Sequence, residues 1–401
     1  MSDSALGAAS SSLPLSPPRT GSEARAASAG KEQVIDAMRG FAALLVAYFH
    51  CRQVAWVGMQ AFHQSVGHSL NLGAIAAYLT FPIAWGSAGV PVFFVISGYC
   101  IHRGAASRLA SNPGYRLDTG NFWLRRFARI YPVLLAALVL TLALDWFSLQ
   151  LPPVSHKIRE IGWQSFLVNL FSLQGVAGKT FGSNGALWTL SLEVQFYAIY
   201  PLLFALRRRI GMTSVLAIVA VVNVISAYVL ERHDIQFFTS YWFSWTLGAW
   251  IADAGTRRAP DARSSIWLYV LAAGFIVLGC AAFHFGQYGA FQLWAIGFAF
   301  YLYKALERPS GSGRQRETFG TRILSRVGDF SFSLYLIHLP IFVLLSSLLF
   351  RSSLQMSIWP SFGYMLVAVP VAYVFYRLVE LPAMKWSASF KPQAAQKQRR
   401  A

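Results

Sequence analysis

Residues 34–51 read VIDAMRGFAALLVAYFHC. Between Arg39 and His50 there are ten residues without a charge, and the apolar character continues to about residue 56. A hydrocarbon core of ~30 Å needs about 20 helical residues at ~1.5 Å each, so the stretch predicts a membrane-spanning helix. It keeps Asp36, Arg39 and His50 within that span. A charge in hydrocarbon costs about 2.5–3.5 kcal/mol at mid-helix on insertion scales, so each buried ionisable group is a candidate for function.

The rest of the chain fits the same solvent. Of 401 residues, 55% are hydrophobic and only 12% charged, about half the charge of a soluble domain, and the mean hydropathy is +0.46. Nine further apolar stretches approach spanning length: 81–102, 127–148, 186–206, 212–230, 237–253, 265–284, 288–304, 329–350 and 357–380. The expected fold is therefore all-α, a polytopic bundle of about ten transmembrane helices. The patch 161–173 is too short to span and suits an interfacial or re-entrant helix. Residues 1–33, rich in Ser and Ala without apolar periodicity, read as a disordered cytoplasmic tail. The first apolar run begins too late for a secretory signal and reads as a retained span. Residues 34–385 form the expected membrane domain and 386–401 a basic cytoplasmic tail. Three cysteines are too few for a disulfide framework.

A net charge of +18 would suggest a nucleic-acid partner in a soluble chain. Position removes that reading. With ten spans and the N-terminus inside, 26 of the 34 Lys and Arg fall on cytoplasmic segments and six on outer ones. That is the positive-inside asymmetry, and it places both termini in the cytoplasm with no nucleic-acid partner. No fixed repeat or inverted halves are visible.

The candidate site residues are those that the bilayer should exclude. Eleven residues separate Arg39 from His50, which returns to within ~20° of the same helix face and rises ~16 Å. In NFWLRRFARIYP, Arg126 and Arg129 share a face and Arg125 lies four before Arg129, an array suited to phosphate and equally to lipid headgroups. Glu193, seven residues into the stretch 186–206, comes to the depth of His50 and is the expected carboxylate partner of that histidine. Ser97 offers a hydroxyl beside the small residue Gly98, and Trp188 lies on the span of Glu193. Tyr335 and His338, one turn apart, suit either an acceptor site or a hydrogen bond between helices. Arg377 and Glu380 near a helix end read as structural. No metal-ligand spacing, P-loop, dinucleotide-binding glycines, HExxH or GxSxG is present.

In these segments the chain resembles the acyltransferase-3 family of integral membrane acyltransferases. The resemblance rests on IDAMRGFAALLVAYFH, FFVISGY, RRFARIYP, LWTLSLEVQFYAIYPLL and SFSLYLIHLPIF followed by RLVELP, and covers about 36–385. It implies acyl transfer, most often of acetyl from acetyl-CoA, to a hydroxyl of a carbohydrate, commonly a cell-surface glycan, in a bacterial plasma or inner membrane. Carried onto this sequence, the family's first motif falls on Arg39 and His50 and its second on Arg126 and Arg129. The expected roles are catalysis for His50, Arg39 and Glu193, donor binding for Arg125, Arg126 and Arg129, and substrate contact for Ser97, Trp188, Tyr335 and His338, with no metal. Neither a hydrolase-like domain after the last span nor an acyl handover by a fused domain is expected. Oligomeric state and acceptor are left open. The competing class is a transporter or flippase of a polar or glycosylated substrate, because buried Arg, His and Glu also mark permeation paths.

Overall fold

The computed structural model describes residues 21–66, 71–257, 265–307 and 318–390. Among them there are fifteen α-helices and no strand. In chain order these are α1 (Gly21–Ala55), α2 (Met59–Val66), α3 (Leu72–Leu79), α4 (Gly89–Ser111), α5 (Thr119–Leu149), α6 (Trp163–Leu170), α7 (Leu187–Ile210) and α8 (Met212–Leu230). Then follow α9 (Trp242–Arg257), α10 (Trp267–Ala282), α11 (Gln287–Ala305), α12 (Phe319–Asp329), α13 (Ser331–Phe350), α14 (Trp359–Phe375) and α15 (Leu381–Ser389). A π-helical turn, Tyr376–Glu380, joins the last two.

Each of the ten apolar stretches contains a helix, and the patch 161–173 contains the short α6. Among the described residues seven segments are long and apolar enough to cross a membrane: Glu32–Ala55, Leu72–Ser111, Thr119–Leu149, Leu187–Ile210, Met212–Leu230, Ser331–Phe350 and Trp359–Ser389. The other three expected spans hold α9 and α10, of 16 residues each, and α11, of 19. The stretch 237–253 starts late as a helix because Phe238–Ser240 forms a separate 3₁₀ turn. At the amino end α1 begins at Gly21, so it takes in residues 21–33 of the expected tail. Residues 1–20 and 391–401 of the two expected tails lie outside the described residues.

Burial sorts the helices. Helix α13 is apolar on every side, the pattern of a helix enclosed by others, and 14 of its 20 residues are buried. Helix α8 has four buried residues in 19 and leaves Val221, Val224 and Ile225 exposed, as a lipid-facing helix does. Pro340 in α13 has no N–H to offer the carbonyl of Leu336, four residues back. That orphaned carbonyl is satisfied by Asn184, whose Nδ2 donates to it at 2.8 Å and to Thr141 Oγ1 at 3.0 Å. The loop before α7 is thereby fastened to the central helix. Asp145 near the end of α5 holds the same loop, accepting from Ser183 N at 2.7 Å and Ser183 Oγ at 2.6 Å.

Two helix crossings are set by glycine. A Cβ on Gly98 would lie 1.9 Å from the carbonyl oxygen of Trp245, and one on Gly248 would lie 1.8 Å from that of Val95. Helices α4 and α9 therefore touch backbone to backbone, as small residues permit. The same holds for α1 and α12, where Gly40 faces Leu324 and Gly328 faces Asp36. These crossings bring Ser97, Asp36, Arg39 and Asp329 to one place.

Candidate active site

That place is a cavity of about 290 Å³ between α1, α4, α5, α7, α12, α13 and the chain after α14. Its polar wall includes Asp36, Arg39, Ser97, Cys100, Arg126, Arg129, Thr189, Glu193, Tyr197, Asp329, Tyr335 and Glu380. The volume is at the lower end of the range of ligand pockets, about 300–1,000 Å³.

Each cation is placed by its helix. Arg39, three residues after Asp36 on α1, donates through Nη1 to Asp36 Oδ1 at 3.3 Å and through Nη2 to Cys100 Sγ at 3.4 Å. Its side chain is 28% exposed and turned to the cavity, with a carboxylate partner. Arg126 and Arg129, three apart on α5, both reach the cavity, as their spacing predicts. The Arg126 guanidinium lies over the rings of Phe122 and Tyr197, at 5.7 and 5.9 Å. Among the described residues neither Arg126 nor Arg129 has a carboxylate within ion-pair distance. Arg125 is exposed and does not line the cavity; its carbonyl accepts from Ser387 Oγ at 2.6 Å. One residue along a helix turns 100°, which carries Arg125 off the face of Arg126.

Glu193 is not paired with His50. It accepts from Ser97 Oγ at 3.1 Å and from the Tyr197 hydroxyl one turn further along α7. Ser97 in turn accepts from Trp245 Nε1 at 3.3 Å. The expectation compared depths in the bilayer, and depth leaves the direction around the helix axis free. Tyr197, missed in the sequence, was accessible there as the i+4 neighbour of Glu193. Glu380, read as a partner of Arg377, instead accepts from Ser333 N at 3.1 Å and Ser333 Oγ at 2.5 Å. Glu380 ends the π turn, whose wider winding rotates it toward the cavity; such turns recur at functional sites.

His50 meets α13 instead. Its Nδ1 lies 2.8 Å from His338 Nε2, and His338 Nδ1 lies 2.9 Å from the Leu334 carbonyl oxygen. His338 is fully buried and lies off the cavity wall, whereas Tyr335, one turn before it, is on that wall. The Tyr335 ring is 5.9 Å from the His338 ring and its hydroxyl is 2.8 Å from Thr189 Oγ1. The cavity thus ends one ring short of the histidine pair. Trp188 does not line the cavity: its ring packs 5.3 Å from Tyr241 and 6.2 Å from Phe291. Six expected residues are on the wall, Arg39, Ser97, Arg126, Arg129, Glu193 and Tyr335, whereas His50, His338, Arg125 and Trp188 are not.

A family model described as an acyltransferase domain matches residues 32–377. The chain is 26% identical to the acyltransferase MdmB of Streptomyces mycarofaciens over 335 residues, 75% of this chain and 76% of that protein. It is 25% identical to the O-acetyltransferase OatA of Staphylococcus aureus over 334 residues, 76% of this chain and 53% of that protein. A shorter match, 30% over 142 residues, is to the peptidoglycan O-acetyltransferase OatA of Listeria monocytogenes, covering 32% of this chain and 22% of that protein. The chain thus aligns with about half or less of the length of these two O-acetyltransferases. No solved structure matches. Because the family model spans most of the chain, all the motif residues and the whole cavity wall up to Tyr376, this multi-pass membrane protein belongs to the acyltransferase-3 family and is an acyltransferase.

Proposed function

We propose that the protein transfers an acetyl group from acetyl-CoA to a hydroxyl of a carbohydrate acceptor, a surface or exported glycan, from within a bacterial plasma membrane. The observation that carries this reading is the pair Arg126 and Arg129, with no carboxylate within ion-pair distance among the described residues, on the wall of a cavity that ends at Tyr335 beside the histidine pair. Guanidinium forks not engaged in an ion pair suit the phosphates of CoA. The pantetheine arm then occupies the cavity, along α1, whose residues 39 and 50 are ~16 Å apart by helical rise. Movement of the Tyr335 ring brings the thioester within reach of His50.

There His50 acts as general base. It takes the proton of the acceptor hydroxyl as that oxygen attacks the thioester carbonyl, and CoA leaves as the thiolate, which takes up the proton. The carbohydrate acceptor is supported by the relatives named O-acetyltransferases, one of them for peptidoglycan.

The test is acetyl transfer by purified protein in detergent, where no gradient exists to drive a transporter. His50→Ala is expected to lose transfer while still binding acetyl-CoA; transfer at the normal rate removes the catalytic role. Arg126→Ala with Arg129→Ala is expected to raise the KM for acetyl-CoA by about tenfold or more, the loss of a charge-assisted hydrogen bond worth ~1.5–3 kcal/mol. An unchanged KM removes the phosphate-docking role.

A further inference from the structure

The hydrogen bonds around the two histidines fix where their protons are. The Leu334 carbonyl oxygen can only accept, so His338 Nδ1, 2.9 Å away, carries a proton and donates. A neutral imidazole has one N–H, which leaves His338 Nε2 bare. His50 Nδ1, 2.8 Å from that nitrogen, must then be the donor. The reverse assignment would set the lone pairs of His338 Nδ1 and the Leu334 oxygen against each other. Ring geometry agrees: the planes are 9° apart and the centroids 5.1 Å apart. The N–N contact accounts for about half of that separation and two ring radii for the rest, so the bond runs edge to edge, along the lone-pair direction.

We infer that His338 is a positioning residue that locks His50 in the Nδ1–H form and thereby presents His50 Nε2 as the basic nitrogen. Such an orienting hydrogen bond on the far nitrogen is what decides which nitrogen of a histidine does the chemistry. His338 occupies the place that a carboxylate usually holds, and its own orientation is set by backbone rather than by a charge. During transfer the acceptor proton arrives on His50 Nε2 while the Nδ1–H bond to His338 persists, so no proton needs to pass to the second ring. The inference rests on the reading of His50 as the general base.

Two substitutions in the full chain test it. In His338→Gln the side-chain oxygen can accept in place of Nε2; in His338→Phe nothing accepts. Release of CoA thiol from acetyl-CoA is measured with soluble peptidoglycan fragments as acceptors, alongside 15N spectra of histidine-labelled protein, which need no acceptor. His338→Phe is expected to lower kcat by about 10²-fold or more, the scale of a lost general-base contribution, with the KM for acetyl-CoA within about twofold. His338→Gln is expected to recover most of that loss. In the spectra, His50 is expected to be protonated at Nδ1 in the native protein and to shift toward the Nε2–H form in His338→Phe. Normal kcat in His338→Phe, equal losses in the two variants, or a native His50 protonated at Nε2 each overturns the inference. Full transfer by His50→Ala would instead remove the general base itself, so the two failures are distinct.

Discussion

At the scale of single residues, the informative side chains are those whose partners differ from the nearest candidates in sequence. Asp145 is an example that the sequence reading passed over, since a lone Asp late in an apolar stretch gives no sign of its partner. It is fully buried and both of its oxygens accept from Ser183. Asp145→Ala strands the Ser183 N–H and hydroxyl away from water, at a cost of about 1–3 kcal/mol for each unsatisfied group. The expected outcome is a lower midpoint of thermal unfolding in detergent, and an unchanged midpoint would remove the loop-fastening role. The residue types of the site were legible: Arg39, Arg126, Arg129, Glu193 and Tyr335 all reach the cavity wall. Their pairings were not. Hydropathy and helical rise give a residue's depth, whereas the partner of His50 depends on how α1 and α13 are rotated about their axes, which apolar patterning leaves undetermined when a helix is buried all round.

Helices were the most legible level, because apolar length in a bilayer leaves the backbone little choice but to satisfy itself within each segment. What sequence did not reveal is where the helices touch. Gly98 and Gly104 look alike in the sequence of α4, yet a Cβ on Gly98 would meet backbone while one on Gly104 meets nothing within 4 Å. Gly98→Ala is therefore expected to reduce the yield of folded, monodisperse protein sharply. Gly104→Ala should be neutral or stabilising, since Ala favours a helix interior by ~1 kcal/mol over Gly. Similar yields for the two variants would show that the α4–α9 crossing is not as close as described. The π turn was equally hidden, since its wider winding leaves no compositional trace, although it is what turns Glu380 to the cavity.

Over the whole molecule, the segregation of cations is a topology statement. With 26 Lys and Arg assigned to one side and six to the other, both termini are expected in the cytoplasm. Green fluorescent protein joined to the C-terminus should fluoresce, and alkaline phosphatase inserted after residue 156 should be active; the opposite pattern would invert the arrangement. On that expected topology the Arg126/Arg129 end of the cavity would face the cytoplasm, as the proposed use of acetyl-CoA requires. The two glycine crossings have a mechanical consequence as well. Where backbones are in contact there is no side chain to compress, so α4 with α9, and α1 with α12, each behave as one stiff beam. Those beams supply Ser97, Cys100, Asp36, Arg39 and Asp329 to the wall. Arg126, Arg129 and Met384 come instead from α5 and α15, which are linked through Ser387 and Arg125 and belong to neither crossing. On the proposed mechanism Arg126 and Arg129 thus lie outside the glycine-clamped pairs and His50 on a clamped helix, so a donor could be gripped and released without disturbing the alignment of His50.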